Sequence, residues 1–89
     1  MSPEKRKQLK AQAHTIKPVV MIGQHGLTEA VLNEIDIALN AHELIKIKTP
    51  AGDSKDRRQL CSDICAQLGA QEVQVVGRNI TIHRQQTDH

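Results

Sequence analysis

Residues 17–48, KPVVMIGQHGLTEAVLNEIDIALNAHELIKIK, contain the pattern from which the fold class can be predicted. An apolar run ends in two glycines, Gly23 and Gly26, and an amphipathic stretch begins directly after them. In the segment LIKIK at 44–48, isoleucine alternates with lysine, which is typical of a strand with one wet and one buried face. The succession of strand, glycine turn, helix and strand predicts an α/β fold.

The first half of the chain is predicted to form two helices and two strands. Ser2 is the expected N-cap of a basic helix that ends near Ala13. The apolar run 19–22 is predicted to be a strand that is covered on both faces. Thr28 is the expected N-cap of an acidic, amphipathic second helix, and the strand 44–48 follows it.

The second half of the chain adds a helix and a hairpin. Apolar residues at helical spacing predict a third helix over about 55–68. Two short strands, 72–76 and 80–84, are joined by a glycine-containing turn. The predicted order is α-β-α-β-α-β-β in one domain over 1–85, followed by a polar tail at 86–89.

The composition is that of an ordinary globular domain. The chain has 89 residues, of which 38% are apolar and 25% charged. No window approaches the length of apolar sequence that a membrane span requires, and the N-terminus lacks the pattern of a secretory signal. We therefore expect a cytoplasmic protein that does not contact a membrane. Its small size and the lack of a large apolar patch favour a monomer.

No cofactor or metal site is predicted. Cys61 and Cys65 are four residues apart in a helical pattern, where their side chains lie parallel instead of meeting as a disulfide requires. We interpret both as small core residues. The five histidines are scattered along the chain without the spacing of metal ligands.

Charge is segregated along the chain. Residues 1–20 carry five Lys/Arg and one Glu, whereas residues 21–43 carry four acids and no Lys/Arg. Such segregation predicts one positive and one negative surface, and a positive surface attracts anionic polymers. The chain has no Phe, Tyr or Trp, so a platform of aromatic side chains on which bases stack is not expected. A nucleic acid would therefore be held mainly by its backbone.

The glycine turn has two interpretations at this stage. A strand that ends in such a turn before a helix directs free backbone N–H groups and the positive end of the helix dipole to one point, where a phosphate can bind. Glycines also occur in such turns for steric reasons alone. The Lys-Ser/Thr pair of a P-loop and the third glycine of a dinucleotide fingerprint are both missing.

The combination of motifs resembles the CRS1-YhbY, or CRM, RNA-binding domain. The motifs are Lys17-Pro18, the turn IGQHGLT at 22–28, the stretch HELIK at 42–46 and the segment VQVVGRNITIHR at 73–84. The resemblance implies a mixed four-stranded sheet similar to the C-terminal domain of bacterial translation initiation factor three. It also implies RNA binding in large ribosomal subunit assembly, with ribosomal RNA or its precursor, and further ribosomal proteins, as partners.

The resemblance places the RNA site at the loop Gly23-Gln24-His25-Gly26 with Thr28. Many members have a basic residue between the glycines, where this chain has Gln24 and His25. Histidine is cationic only part of the time near neutral pH, so loop affinity is expected to be weaker and more sensitive to pH. The basic candidates expected to lie closest to the loop are Arg6, Lys10 and Lys17. They are followed by Lys46 and Lys48 on a strand and by Arg78 on the final hairpin.

Two other classes of function were weighed against RNA binding. An enzyme is not predicted, because His25 has no evident acid partner and no nucleophile forms a recognisable constellation with it. A protein-interaction adaptor that uses the acidic second helix stays open as the alternative.

Overall fold

The computed structural model describes residues 2–50 and 52–85. The predicted order α-β-α-β-α-β-β is confirmed. The elements are α1 (Pro3–Ala13), β1 (Pro18–Met21), α2 (Glu29–His42), β2 (Leu44–Lys48), α3 (Ser54–Leu68), β3 (Gln71–Val76) and β4 (Asn79–His83). The predicted polar tail at 86–89 lies outside the described residues.

Side-chain caps determine where the helices begin. The Ser2 hydroxyl accepts a hydrogen bond from the backbone N–H of Lys5, and the Thr28 hydroxyl accepts one from Val31, both at 3.2 Å. Asp53 caps α3 in the same way. Each cap satisfies an N–H group that has no partner within the helix. The predicted caps of α1 and α2 are confirmed.

The four strands form one mixed sheet in the order β1-β2-β4-β3. β1 and β2 are parallel, and the β2–β4 and β4–β3 pairs are antiparallel. At one end of the sheet β1, β2 and β3 finish and β4 begins. We call it the loop end, because the Gly23–Gly26 turn follows β1 there, and we call the opposite end the far end.

Helices α2 and α3 cover one face of the sheet. Alternate residues of β2, Ile45 and Ile47, point to this face and are completely buried, as predicted. They belong to a cluster whose other buried members are Val20, Ile22, Ile35, Leu39, Cys61, Ile64, Ile80 and Ile82. Burial of this much aliphatic surface is the main stabilising contribution to the fold.

Helix α1 packs on the opposite face. Leu9 and Ala13 of α1 are buried, and so are Val73 and Thr81 of the strands beneath it. None of the four belongs to the cluster under α2 and α3. The sheet therefore separates a large core from a small one.

The small core occupies only the far end of its face. A cavity of about 320 Å³ is bordered by Lys5 and Gln12 of α1 together with Glu43, Leu44 and His83. These last three residues mark the start of β2 and the end of β4, both at the far end. Helix α1 thus crosses the far end, and the loop end of this face lies open.

The expectation that β1 is covered on both faces is wrong. The side chain of Met21 is 66% exposed and that of Val19 is 53% exposed. β1 is an edge strand, and α1 crosses the sheet too far away to cover its last residue. An apolar sequence indicated that β1 is buried, but its position in the sheet leaves one side in solvent.

None of the described helices is long and apolar enough to cross a membrane.

Candidate nucleic-acid interface

The Gly23–Gly26 loop connects β1 to α2 at the loop end. Ile22 extends the pairing of β1 by one residue, because its N–H donates to the carbonyl of Lys48 at 2.8 Å. The N–H of Gly26 then donates to the carbonyl of Gly23 at 3.0 Å and closes a tight turn. The side chains of Gln24 and His25 between them are exposed.

The main chain at both glycines is accessible. A Cβ atom placed on Gly23 or on Gly26 would meet no neighbouring heavy atom within 4 Å. Gly26 has a φ of +74°, which side-chain-bearing residues rarely adopt, whereas Gly23 does not have a positive φ. The turn therefore requires glycine at Gly26 for its conformation. At Gly23 the fold makes no such demand.

Thr28 and Glu29 begin α2 beside the loop. Thr28 has a structural role as the N-cap, and its backbone is extended. The first-turn N–H groups and the helix dipole create a positive potential at this point. The exposed carboxylate of Glu29 opposes part of that potential. The backbone and the charged side chain thus act in opposite directions on an approaching anion.

Two of the predicted cations lie at the loop end. Lys48 ends β2 and pairs with Met21, two residues before Gly23. Arg78 lies in the turn of the β3–β4 hairpin, and its carbonyl accepts two hydrogen bonds from Thr49, from the N–H at 2.7 Å and from the hydroxyl at 2.9 Å. Thr49 is buried and was missed by sequence reasoning, because a threonine after a strand carries no distinctive signal. It anchors the backbone of Arg78 next to the end of β2.

The other predicted cations lie farther from the loop. Lys17 precedes β1 and Gly23 follows it, so a strand of about 13 Å separates them. Arg6 donates to the carbonyl of Glu72 at 3.1 Å, at the start of β3 and hence at the far end. The expectation that Arg6 and Lys17 lie closest to the loop is therefore wrong. It failed because the path of α1 across the sheet is a property of tertiary packing.

Lys10 and Lys46 lie on the α1 face. The helical repeat puts Lys10 on the other side of α1 from Lys5 and Gln12, which border the far-end cavity. Lys10 is thus on the side of α1 that is directed toward the open half of the sheet. Lys46 is half-buried on β2, two residue pairs farther from the loop than Lys48.

Arg84 fastens three elements together at the far end. Its guanidinium donates to the Asp36 carboxylate at 2.8 Å and to the carbonyls of Leu68 at 2.9 Å and Asp36 at 3.2 Å. A fourth hydrogen bond, at 2.9 Å, reaches the side-chain oxygen of Asn40. Arg84 therefore joins the end of β4 to α2 and to the end of α3, and its charge is neutralised by Asp36.

The pKa values of the cysteine thiols and of His83 are shifted, upward for Cys61 and downward for Cys65 and His83. The hydrogen bond with Cys65, together with burial, raises the pKa of the Cys61 thiol well above its usual range. A buried, protonated thiol is unreactive. Burial lowers the pKa of His83, with a smaller opposite effect from Glu43. No three metal-ligating side chains come together within residues 2–50 and 52–85.

Comparison with known proteins extends the resemblance to nearly the whole chain. A model of the CRS1 / YhbY (CRM) domain matches residues 1–84. A probable RNA-binding protein of Pseudomonas aeruginosa is 42% identical over 94% of this chain and 81% of its own length. An RNA-binding protein of Haemophilus influenzae is 40% identical over 94% of this chain and 85% of its own length. The resemblance found in the sequence is confirmed.

A solved structure has the same fold. The solution structure of the hypothetical protein SAV1595 from Staphylococcus aureus matches with a TM-score of 0.88 and 28% sequence identity. The match covers 99% of this chain and 92% of that one. The arrangement of three helices on a mixed four-stranded sheet therefore occurs in an experimentally determined structure as well.

Proposed function

Because this chain belongs to the CRS1/YhbY (CRM) domain family, we propose that it binds RNA and grips the RNA backbone at the Gly23–Gly26 loop. The family is one of RNA-binding domains rather than of enzymes. The observation that supports the site is the accessible main chain at both glycines, at the start of α2 and beside Lys48 and Arg78.

Phosphate contact at the loop uses the backbone and the nearby cations. Free N–H groups at the start of α2 donate to phosphate oxygens, and the helix dipole favours the negative charge. Lys48 and Arg78 neutralise neighbouring phosphates and release their counterions. Gln24 and His25 are exposed and add hydrogen-bond donors.

The remaining predicted cations extend the positive surface over the α1 face. Lys46 lies on β2 between the loop end and α1, Lys10 lies on α1 itself, and Arg6 has further donors besides the one bonded to Glu72. Lys17 is the candidate farthest along β1 from the loop. An RNA strand that starts at the loop and crosses this face would meet these cations in succession.

The proposed target is ribosomal RNA or its precursor in large-subunit assembly, bound by a monomer in the cytoplasm. The resemblance to the CRS1-YhbY domain, which implies such a target, supports this choice. The test is ultraviolet crosslinking in cells, followed by sequencing of the RNA attached to the protein. Fragments of large-subunit ribosomal RNA precursors are expected. Recovery of other RNA would refute the target, and recovery of no RNA would refute RNA binding.

A protein-interaction adaptor is the second candidate. A cavity of about 450 Å³ on the β1 edge is bordered by Val19, Ile37, Ala41 and the carboxylate-bearing Glu34. The side chain of Ile37 is 59% exposed. An apolar surface beside an acidic residue suits a partner with apolar and basic side chains. Crosslinked peptides without RNA would favour this function over the first.

A further inference from the structure

One row of side chains crosses the full width of the sheet at the loop end. Met21 of β1 pairs with Lys48 of β2, Lys48 pairs with Asn79 of β4, and Asn79 pairs with Val76 of β3. Paired residues point to the same face. The neighbouring row, which includes Ile47 and Ile80, points to the face that α2 and α3 cover. Because side chains alternate along a strand, the row that begins at Met21 points to the opposite face, on which α1 packs.

The row is apolar at both ends and polar in the middle. The side chain of Met21 is 66% exposed and that of Val76 is 59% exposed. Among the described residues, the other exposed large apolar side chains are those of Ile37 and, somewhat less exposed, Val19. Lys48 and Asn79 stand between Met21 and Val76, so the row combines apolar contact, a positive charge and an amide.

The surroundings of the row suit a negatively charged ligand. The described strand residues on this face include Lys46 and Lys48 and no carboxylate, because Glu72 pairs with Ile82 and points the other way. The row is also continuous with the candidate phosphate site. Gly23 follows Met21 by two residues, and Arg78 follows Val76 by two.

We propose that this row contacts the unpaired bases of single-stranded RNA whose backbone lies at the Gly23–Gly26 loop. The inference rests on the proposed function and names its substrate class. The Met21 thioether packs on the face of a base, since sulfur makes favourable contacts with aromatic rings. Val76 supplies aliphatic contact, and the Asn79 amide can both donate to and accept from a base edge.

A duplex would not present these groups to the row. In a double helix the base faces are stacked and their pairing edges are occupied, so proteins recognise it through phosphates and 2′-hydroxyls. The cations and the glycine loop could still contact its phosphates. The row therefore predicts a preference for unpaired RNA that does not come from charge.

The test compares two RNAs that carry the same number of phosphates, an unstructured strand and a closed hairpin duplex. The wild-type protein is expected to prefer the single strand. The double variant Met21→Gln/Val76→Thr keeps the size and the charge of both side chains and should lose about tenfold in affinity for the single strand only. The matched control Ile37→Gln removes an equally exposed apolar side chain from α2 and should bind like the wild type.

A second measurement follows RNA binding through the methionine methyl resonances of the wild-type protein. Met21 and Met1 are the two methionines of the chain, and the Met21→Gln protein assigns their methyl resonances. Single-stranded RNA should shift the Met21 methyl signal of the wild-type protein. Equal affinity for both RNAs, or an unchanged Met21 signal on saturation with single-stranded RNA, overturns the inference and leaves RNA binding intact. Failure to bind either RNA refutes the proposed function itself.

Discussion

At the scale of single residues, the two glycines of the loop have different roles. Gly26 occupies a left-handed conformation, so a substitution there strains the backbone whether or not RNA is bound. Gly23 lacks a positive φ and has open space where a side chain would project. A substitution at Gly23 therefore affects mainly the approach of a ligand, whereas most substitutions at Gly26 also strain the backbone of the turn.

The first prediction concerns Gly23→Asp. We expect this protein to melt within a few degrees of the wild type and to lose at least tenfold in RNA affinity, because a carboxylate then faces the approaching phosphate. Circular dichroism and fluorescence anisotropy measure the two effects. The control Gln67→Glu changes the net charge equally on an exposed position of α3. Unchanged affinity in Gly23→Asp would show that no phosphate approaches this residue.

At the scale of the elements, the fold is fastened at the far end. Arg84 bonds to two helices from the end of β4, and its side chain is 20% exposed. Its guanidinium is committed to Asp36, Asn40 and Leu68. Arg57 is also structural, because it donates to the carbonyl of Gly52 at 2.6 Å.

The second prediction is that Arg84→Ala lowers the free energy of unfolding by about 2–3 kcal/mol, since partly buried acceptors lose their donor. Urea denaturation measures the change. Arg84→Lys should recover only part of it, because an ammonium group cannot reproduce the fork of guanidinium donors. RNA affinity of the folded fraction should stay at the wild-type value. Wild-type stability in Arg84→Ala would contradict the fastening role.

The third prediction concerns His83, whose pKa is lowered by burial. A lowered pKa in the folded state means that the unfolded chain binds the proton more readily, so stability is full above the unfolded pKa of about 6.5 and falls as the pH drops below it. The His83→Gln protein should lose less stability than the wild type between pH 7.5 and 5.5. Thermal melts at both pH values measure it, and identical losses would refute the assignment.

The sequence predicted the elements better than their arrangement. Helical periodicity and the caps Ser2 and Thr28 are local signals, and they gave the correct helix starts. Strand order and the path of α1 depend on contacts between distant segments, which no local pattern encodes. For this reason Lys17 was expected near the loop, and Met21 was expected to be covered.

At the scale of the whole molecule, the two faces of the sheet differ in the charges that they carry. The α1 face carries lysines and no strand carboxylates among the described residues, whereas α2 on the other face carries Glu29, Glu34 and an Asp36 that is paired with Arg84. A long anion is attracted to the first surface and repelled by the second. The domain should therefore orient on RNA before any specific contact forms.

The fourth prediction quantifies this attraction. With four to six phosphate contacts, the logarithm of the binding constant for single-stranded RNA should fall against the logarithm of salt concentration with a slope of roughly −3 to −4. Anisotropy titrations across a salt series measure it. Lys48→Gln should make the slope shallower by about 0.7, the value of one lost contact. A slope near zero in the wild type would refute electrostatic binding.

Arg84 links the elements at the far end of the sheet, whereas the loop end is exposed. This difference matters for evolution and engineering. Gln24, His25 and Arg78 are exposed and contribute no side chain to either core. Randomising them should yield libraries in which almost every member still folds while ligand preference varies. Such a scaffold can be retargeted to new sequences without first being stabilised.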